Sequence, residues 1–67
     1  MEFRIEGEYI ELCDLLKVTG LAASGGEAKQ LIAEGKVKVD GQVELRKRCK
    51  TKAGSVVEFE GEKITLA

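Results

Sequence analysis

The chain contains no histidine, no tryptophan and no proline, and only two of its 67 residues are cysteine. Without histidine it lacks the side chain most often used as a general base and as a metal ligand near neutral pH. Two thiols cannot furnish the four ligands of a structural zinc site. They also fall short of the four or more cysteines of a disulfide-stapled small fold. No cofactor, no metal and no catalytic activity are therefore expected. Long apolar runs are missing as well. Leu21-Ala22-Ala23 and Leu31-Ile32-Ala33 are the longest, at three residues each, against roughly 20 for a membrane-spanning helix. The opening Met1-Glu2-Phe3-Arg4-Ile5-Glu6 alternates charge with apolar side chains and shows no apolar stretch of the kind a secretory leader uses. A cytoplasmic protein is expected, with neither a membrane nor a small-molecule substrate as partner. A chain of this length forms one domain, 1–67, that buries about 60% of its unfolded surface. That leaves little room for a deep cavity, so function is expected on a surface patch.

Charge is what the sequence has in quantity. The net value of −1 conceals a segregation. Residues 29–52 carry eight bases (Lys29, Lys36, Lys38, Arg46, Lys47, Arg48, Lys50 and Lys52) against three acids, Glu34, Asp40 and Glu44, a local +5. The rest of the chain holds three bases and nine acids, a local −6. Such asymmetry points to a surface for a polyanion on an otherwise acidic body. A docking face for an acidic protein partner is the alternative, and a solvated sheet edge would also use a run such as Arg46-Lys47-Arg48.

The apolar periodicity predicts a short N-terminal strand through Phe3 and Ile5, with a turn at Gly7-Glu8. Leu12, Leu15 and Leu16 then recur at helical spacing over 11–18, with Glu11 in the first turn, Lys17 in the last and Gly20 as the stop. Ser24 followed by Glu27 is a capping box that opens a second helix. Its apolar stripe is Ala28, Leu31 and Ile32, and Gly35 ends it. Gly25-Gly26 in the first turn costs about 1 kcal/mol each relative to alanine. Either an anion approaches the bare helix amides, or another element packs closely there. From Val37 the period becomes two. Val37-Lys38-Val39, Asp40-Gly41 and Val43-Glu44-Leu45 read as a hairpin with a tight Asp-Gly turn. Val37, Val39, Val43 and Leu45 are expected inward, with Lys38, Glu44 and Arg46 outward. Residues 47–52 are expected along the surface, and Val56-Val57-Glu58-Phe59 and Lys63-Ile64-Thr65-Leu66 form a second hairpin around Gly61. The fold class is α+β, two helices packed on a small, mostly antiparallel sheet with two hairpins.

Phe3 and Phe59 fall on predicted inward faces, and Tyr9 is expected to anchor the approach to the first helix. An exposed platform for stacking bases is thus not expected, which disfavours free single strands. Cys13 is expected to be a buried small hydrophobe. Cys49, between Arg48 and Lys50, stands in an electropositive setting that lowers thiol pKa values, although both cysteines are expected to be structurally inert.

The order of elements, together with Ser24-Gly25-Gly26-Glu27-Ala28-Lys29, Leu31-Ile32, Gly35-Lys36-Val37-Lys38-Val39-Asp40-Gly41 and Ala53-Gly54-Ser55-Val56-Val57, resembles the S-four domain. This is the RNA-binding module first defined in ribosomal small-subunit protein four. The resemblance runs over 11–60 and is strongest to small stand-alone bacterial members, which share the Ser-Gly-Gly-Glu-Ala-Lys stretch and Arg46-Lys47-Arg48. It implies an αL RNA-binding motif without catalysis, acting as a monomer on structured ribosomal or transfer RNA, in ribosome assembly or RNA metabolism. Many family members place Arg after the Ser and Arg at the start of helix one. Here those positions are Gly25 and Glu11. The residues expected to contact RNA are Ser24, Gly25, Gly26, Lys29, Lys36, Lys38, Arg46, Lys47, Arg48 and Lys50. Shape, phosphate and 2′-OH contacts dominate recognition of folded RNA, and guanidinium forks match phosphate oxygens.

Overall fold

The computed structural model describes residues 1–67. In chain order the elements are β1 (Glu2–Phe3), β2 (Ile10–Glu11), α1 (Leu12–Val18), α2 (Gly25–Ala33), β3 (Val37–Val39), β4 (Gln42–Val43), β5 (Lys50–Thr51), β6 (Val56–Phe59) and β7 (Glu62–Leu66). Five strands form one sheet in the order β1-β7-β6-β3-β4, and β2 pairs with β5 in a separate two-stranded ribbon. All pairings are antiparallel except that of β1 with β7. Leu12, Leu15 and Leu16 of α1 and Ala28 and Ile32 of α2 form one apolar cluster with Val37, Val57, Phe59, Ile64 and Leu66 of the sheet. Neither helix is long and apolar enough to cross a membrane.

Local chemistry accounts for the helix ends. The C-terminus of α1 closes on Gly20, at φ +81°, where Gly20 N–H donates to Lys17 O and Ala22 N–H to Leu16 O. At the start of α2, Glu27 N–H donates to Ser24 Oγ at 3.2 Å. The Glu27 carboxylate reaches back to Ala23 N–H at 3.2 Å, one residue beyond the Ser24 N–H that the ideal capping box would use. Within the apolar stripe of α2, Ile32 is fully buried, whereas Leu31 only packs on the rim of the core. Glu11 precedes α1 as its N-cap and makes no side-chain cap bond, and Asp14 supplies the acid in the first turn.

The first hairpin corrects the expected faces. Asp40 and Gly41 both take positive φ, 52° and 84°, the conformation of a two-residue type I′ turn. Such a turn places Val39 opposite Gln42 and Lys38 opposite Val43. Directly paired residues share a face, so Val43 goes outward with Lys38, and Leu45 follows it. Val43 and Leu45 are 51% and 59% exposed. Glu44, expected outward, instead turns partly inward, and its N–H donates to Val37 O. The segment 47–52 is also more ordered than a surface run. Thr51 is buried, and its hydroxyl donates to Ile10 O at 2.8 Å, locking β5 to β2.

Candidate nucleic-acid interface

The basic segment after β4 does not continue as a strand. Cys49 N–H donates to Arg46 O at 3.2 Å and closes a turn over 46–49. This turn sits on the N-terminus of α1, where Leu12 N–H donates to Cys49 O at 2.9 Å and Cys13 N–H to Lys47 O at 3.2 Å. The first amides of a helix have no partner within it, and here the carbonyls of the basic turn supply one. With its carbonyls engaged inward, the turn leaves Arg46, Lys47 and Arg48 exposed. Arg46, Arg48, Cys49 and Lys50 line a shallow depression of about 440 Å³. Arg46 and Arg48 are therefore held together by a turn and not by a shared strand face.

Glu44 holds the Arg46 side chain. Arg46 Nε donates to Glu44 Oε2 at 3.0 Å, Nη2 to Oε1 at 2.9 Å, and the Arg46 backbone N–H to Oε2 at 3.0 Å. The side-chain and backbone hydrogen bonds from Arg46 pull the Glu44 carboxyl down to about 2. In return Glu44 raises the Arg46 guanidinium above its ordinary value. The fork points one edge at the carboxylate, and Nη1 makes no hydrogen bond to the protein. Cys49 Sγ lies 3.7 Å from Arg46 Nη2. Its thiol is nonetheless pushed up, first by burial and then by Glu44, contrary to the lowering expected from its basic neighbours.

The other predicted residues fall into two further places. Lys36 and Lys38 flank a small depression of about 150 Å³ together with Glu58 and Glu60. Lys36 Nζ pairs with Glu34 Oε1 at 3.3 Å, and Lys38 lies opposite Glu58 in the β3–β6 register. This patch is of mixed charge, not an extension of one positive field. Lys29 is half-buried on α2, and Ser24, Gly25 and Gly26 form that helix's first turn and cap. Beyond the adjoining residues and the helix's own backbone, no atom lies within 4 Å of a Cβ built at Gly25, and only Ser24 Oγ, at 3.8 Å, meets one at Gly26. Close packing therefore does not explain the glycine pair. The Glu27 carboxylate stands at the same helix end, accepting from Ala23 N–H.

Two residues that pattern alone did not place here are Glu44 and Tyr9. Tyr9 is 42% exposed and not packed into the core, and Lys50 Nζ lies 4.9 Å from its ring centroid. Nothing local signals that contact, since it depends on the β2–β5 pairing. No three His, Cys, Asp or Glu side chains come together in a way that could hold a metal ion.

Two helices on a small mixed sheet, with a basic turn seated on the first helix, define a small α+β class of domain, and residues 3–67 match the S4 domain. The chain belongs to the S4 domain family. It is 59% identical over 58 residues to YbcJ of Escherichia coli strain K12 and, to the same degree, to YbcJ of Shigella flexneri, covering 87% of this chain and 83% of each relative. The solution structure of E. coli YbcJ, described as revealing an αL motif involved in RNA-binding, superposes with a TM-score of 0.75 at 51% identity. The match covers 98% of this chain and 85% of that one.

Proposed function

We propose that this protein is a non-catalytic RNA-binding protein that docks folded RNA, of the ribosomal or transfer class, in ribosome assembly or RNA metabolism. The observation that carries the reading is the 46–50 turn, whose cations border one depression while its backbone is tied to α1. A fixed turn presents its charges without a large ordering cost on binding. Glu44 holds the Arg46 guanidinium in one orientation, and Arg48 and Lys50 add charge at the same rim. Lys47 projects from the same turn, and Ser24, the Gly25 and Gly26 amides, Lys29, Lys36 and Lys38 serve as secondary contacts. The membership in the S4 domain family and the RNA-binding motif described for E. coli YbcJ support the same reading.

Phosphate spacing differs between A-form and B-form duplexes, and the 2′-OH exists only on RNA. The test is a folded RNA hairpin against a DNA hairpin of the same sequence, titrated at one near-physiological salt concentration. The RNA binds at least several-fold more tightly, and the preference persists as salt is raised. Equal affinities across the salt series would reduce the turn to a generic basic patch, of the kind that docks an acidic protein.

A further inference from the structure

Beside the cationic depression lies a second one of different chemistry. It measures about 350 Å³ and is lined by Phe3, Arg4, Ile5, Glu6, Tyr9 and Ile10, four of them apolar or aromatic. The two depressions adjoin at Tyr9 and Lys50. Lys50 lines the first, Tyr9 lines the second, and the ammonium lies 4.9 Å from the ring centroid. The juxtaposition is set by backbone, because Glu11 pairs with Lys50 and Ile10 with Thr51. The buried Thr51 hydroxyl, bonded to Ile10 O, fixes that register. Tyr9 keeps 42% of its surface exposed, although Phe3, Ile5 and Ile10 beside it pack against the core.

An exposed ring, an apolar floor and the Lys50 ammonium 4.9 Å from the ring centroid complement the two halves of a nucleotide. A base presents a π-face to Tyr9 and apolar edges to the floor, and its phosphate meets Lys50 and Arg48. Bases inside a duplex are stacked on their neighbours and cannot enter such a site, whereas those in bulges, loops and ends can. We propose that Tyr9 and the depression beside it receive an unpaired base of the RNA whose phosphates lie on the 46–50 turn. The proposal rests on the RNA-binding reading above and narrows its target to folded RNA that displays an unstacked base next to a helix. Continuity with the cationic depression and the matching charge at Lys50 select this occupant over an apolar peptide segment, which would gain nothing from the cations.

The test uses two RNA hairpins that differ by a single unpaired purine bulge, titrated against the full chain by fluorescence anisotropy at one salt concentration. Wild type binds the bulged hairpin roughly tenfold more tightly, the scale of one base stacked on an aromatic side chain. Tyr9→Leu abolishes that preference while the paired hairpin binds as before, and Tyr9→Phe retains it. A second measurement needs no variant: 2-aminopurine placed at the bulge is quenched when wild type binds. Wild type that binds both hairpins equally, or a folded Tyr9→Leu protein that keeps the preference, overturns this proposal and leaves the RNA reading standing. Failure of both hairpins to bind overturns the RNA reading and this proposal with it.

Discussion

Leu31 and Ile32 are adjacent and similarly apolar, yet they stand differently in the protein. Ile32 is fully buried in the cluster between helices and sheet, and Leu31 lies on its rim. Truncating a fully buried aliphatic side chain leaves a cavity and costs about 2–5 kcal/mol. Ile32→Ala therefore removes much of the stability of a domain whose total, at this length, is about 3–10 kcal/mol. Leu31→Ala costs roughly 1–2 kcal/mol, because less of its surface leaves water on folding. Urea unfolding of the two variants checks the order, and a larger loss for Leu31→Ala would reverse the assigned helix face. Glu44 makes a prediction in pH. Its carboxyl is lowered from 4.5 to about 2 by the hydrogen bonds from Arg46. A depressed folded-state pKa adds stability above the unfolded value, and this is lost as pH falls through the folded one. The contribution of Glu44 is thus complete above about 4.5 and disappears toward about 2. In thermal melts across that window, Glu44→Gln shows a shallower acid decline than wild type. Parallel curves would mean that the pair contributes nothing beyond its geometry.

Each helix begins in its own way. The N-terminus of α2 is capped from within its own sequence, by Ser24 Oγ and the Glu27 carboxylate. The N-terminus of α1 has no side-chain cap and takes its acceptors from Lys47 O and Cys49 O, more than thirty residues along the chain. Ser24→Ala accordingly costs about 1 kcal/mol, and Ser24→Gly only a few tenths, as is usual for N-caps. Denaturant midpoints of the two variants measure the difference, and equal losses would show that the cap bond is not what stabilises this end. For α1 the equivalent stabilisation lies in the backbone of the basic turn. Side-chain substitutions there leave its acceptors in place, so the turn's charges can be altered while the helix stays capped.

That separation governs how the molecule as a whole carries its charge. Eight of its eleven bases lie within 29–52, but the fold divides them. Lys36 and Lys38 stand among Glu34, Glu58 and Glu60, whereas in the 46–50 turn Arg46 pairs with Glu44, Glu11 stands opposite Lys50, and Lys47 and Arg48 make no ion pair. The strongest anion-attracting field is therefore at the turn. If four to six cations in all meet phosphates, log affinity falls with log salt at a slope of roughly −3 to −5. Replacing Arg46, Lys47 and Arg48 together by Ala lowers the steepness by about 2 to 3 and weakens binding strongly. The thermal midpoint falls only by what the exposed Arg46–Glu44 pair contributes, since all three side chains are exposed and no other bond of theirs to the protein's carboxylates is lost. An unchanged slope in a folded triple variant would move the interface to Lys29, Lys36 and Lys38.

Features set by residues within about four positions of one another were legible from the chain alone. They include the α2 cap, the glycine stops, the Asp40-Gly41 and Gly61 turns, both helices and the α+β class. Hydrogen-bond reach and φ preference act locally there, and no distant partner can reverse them. The hairpin parity was legible too, because a two-residue turn sets Lys38 opposite Val43. The apolar character of Val43 and Leu45 suggested the opposite face, but β4 is an edge strand with no layer there to bury them. The identity of the basic residues in the candidate site was equally readable. Their grouping was not. Arg46, Arg48 and Lys50 converge because the turn's carbonyls cap α1, and Lys50 meets Tyr9 because Thr51 is buried against Ile10, 41 residues away. Contacts at such separation repay their loop-closure entropy only when the whole core forms around them, so no local pattern announces them.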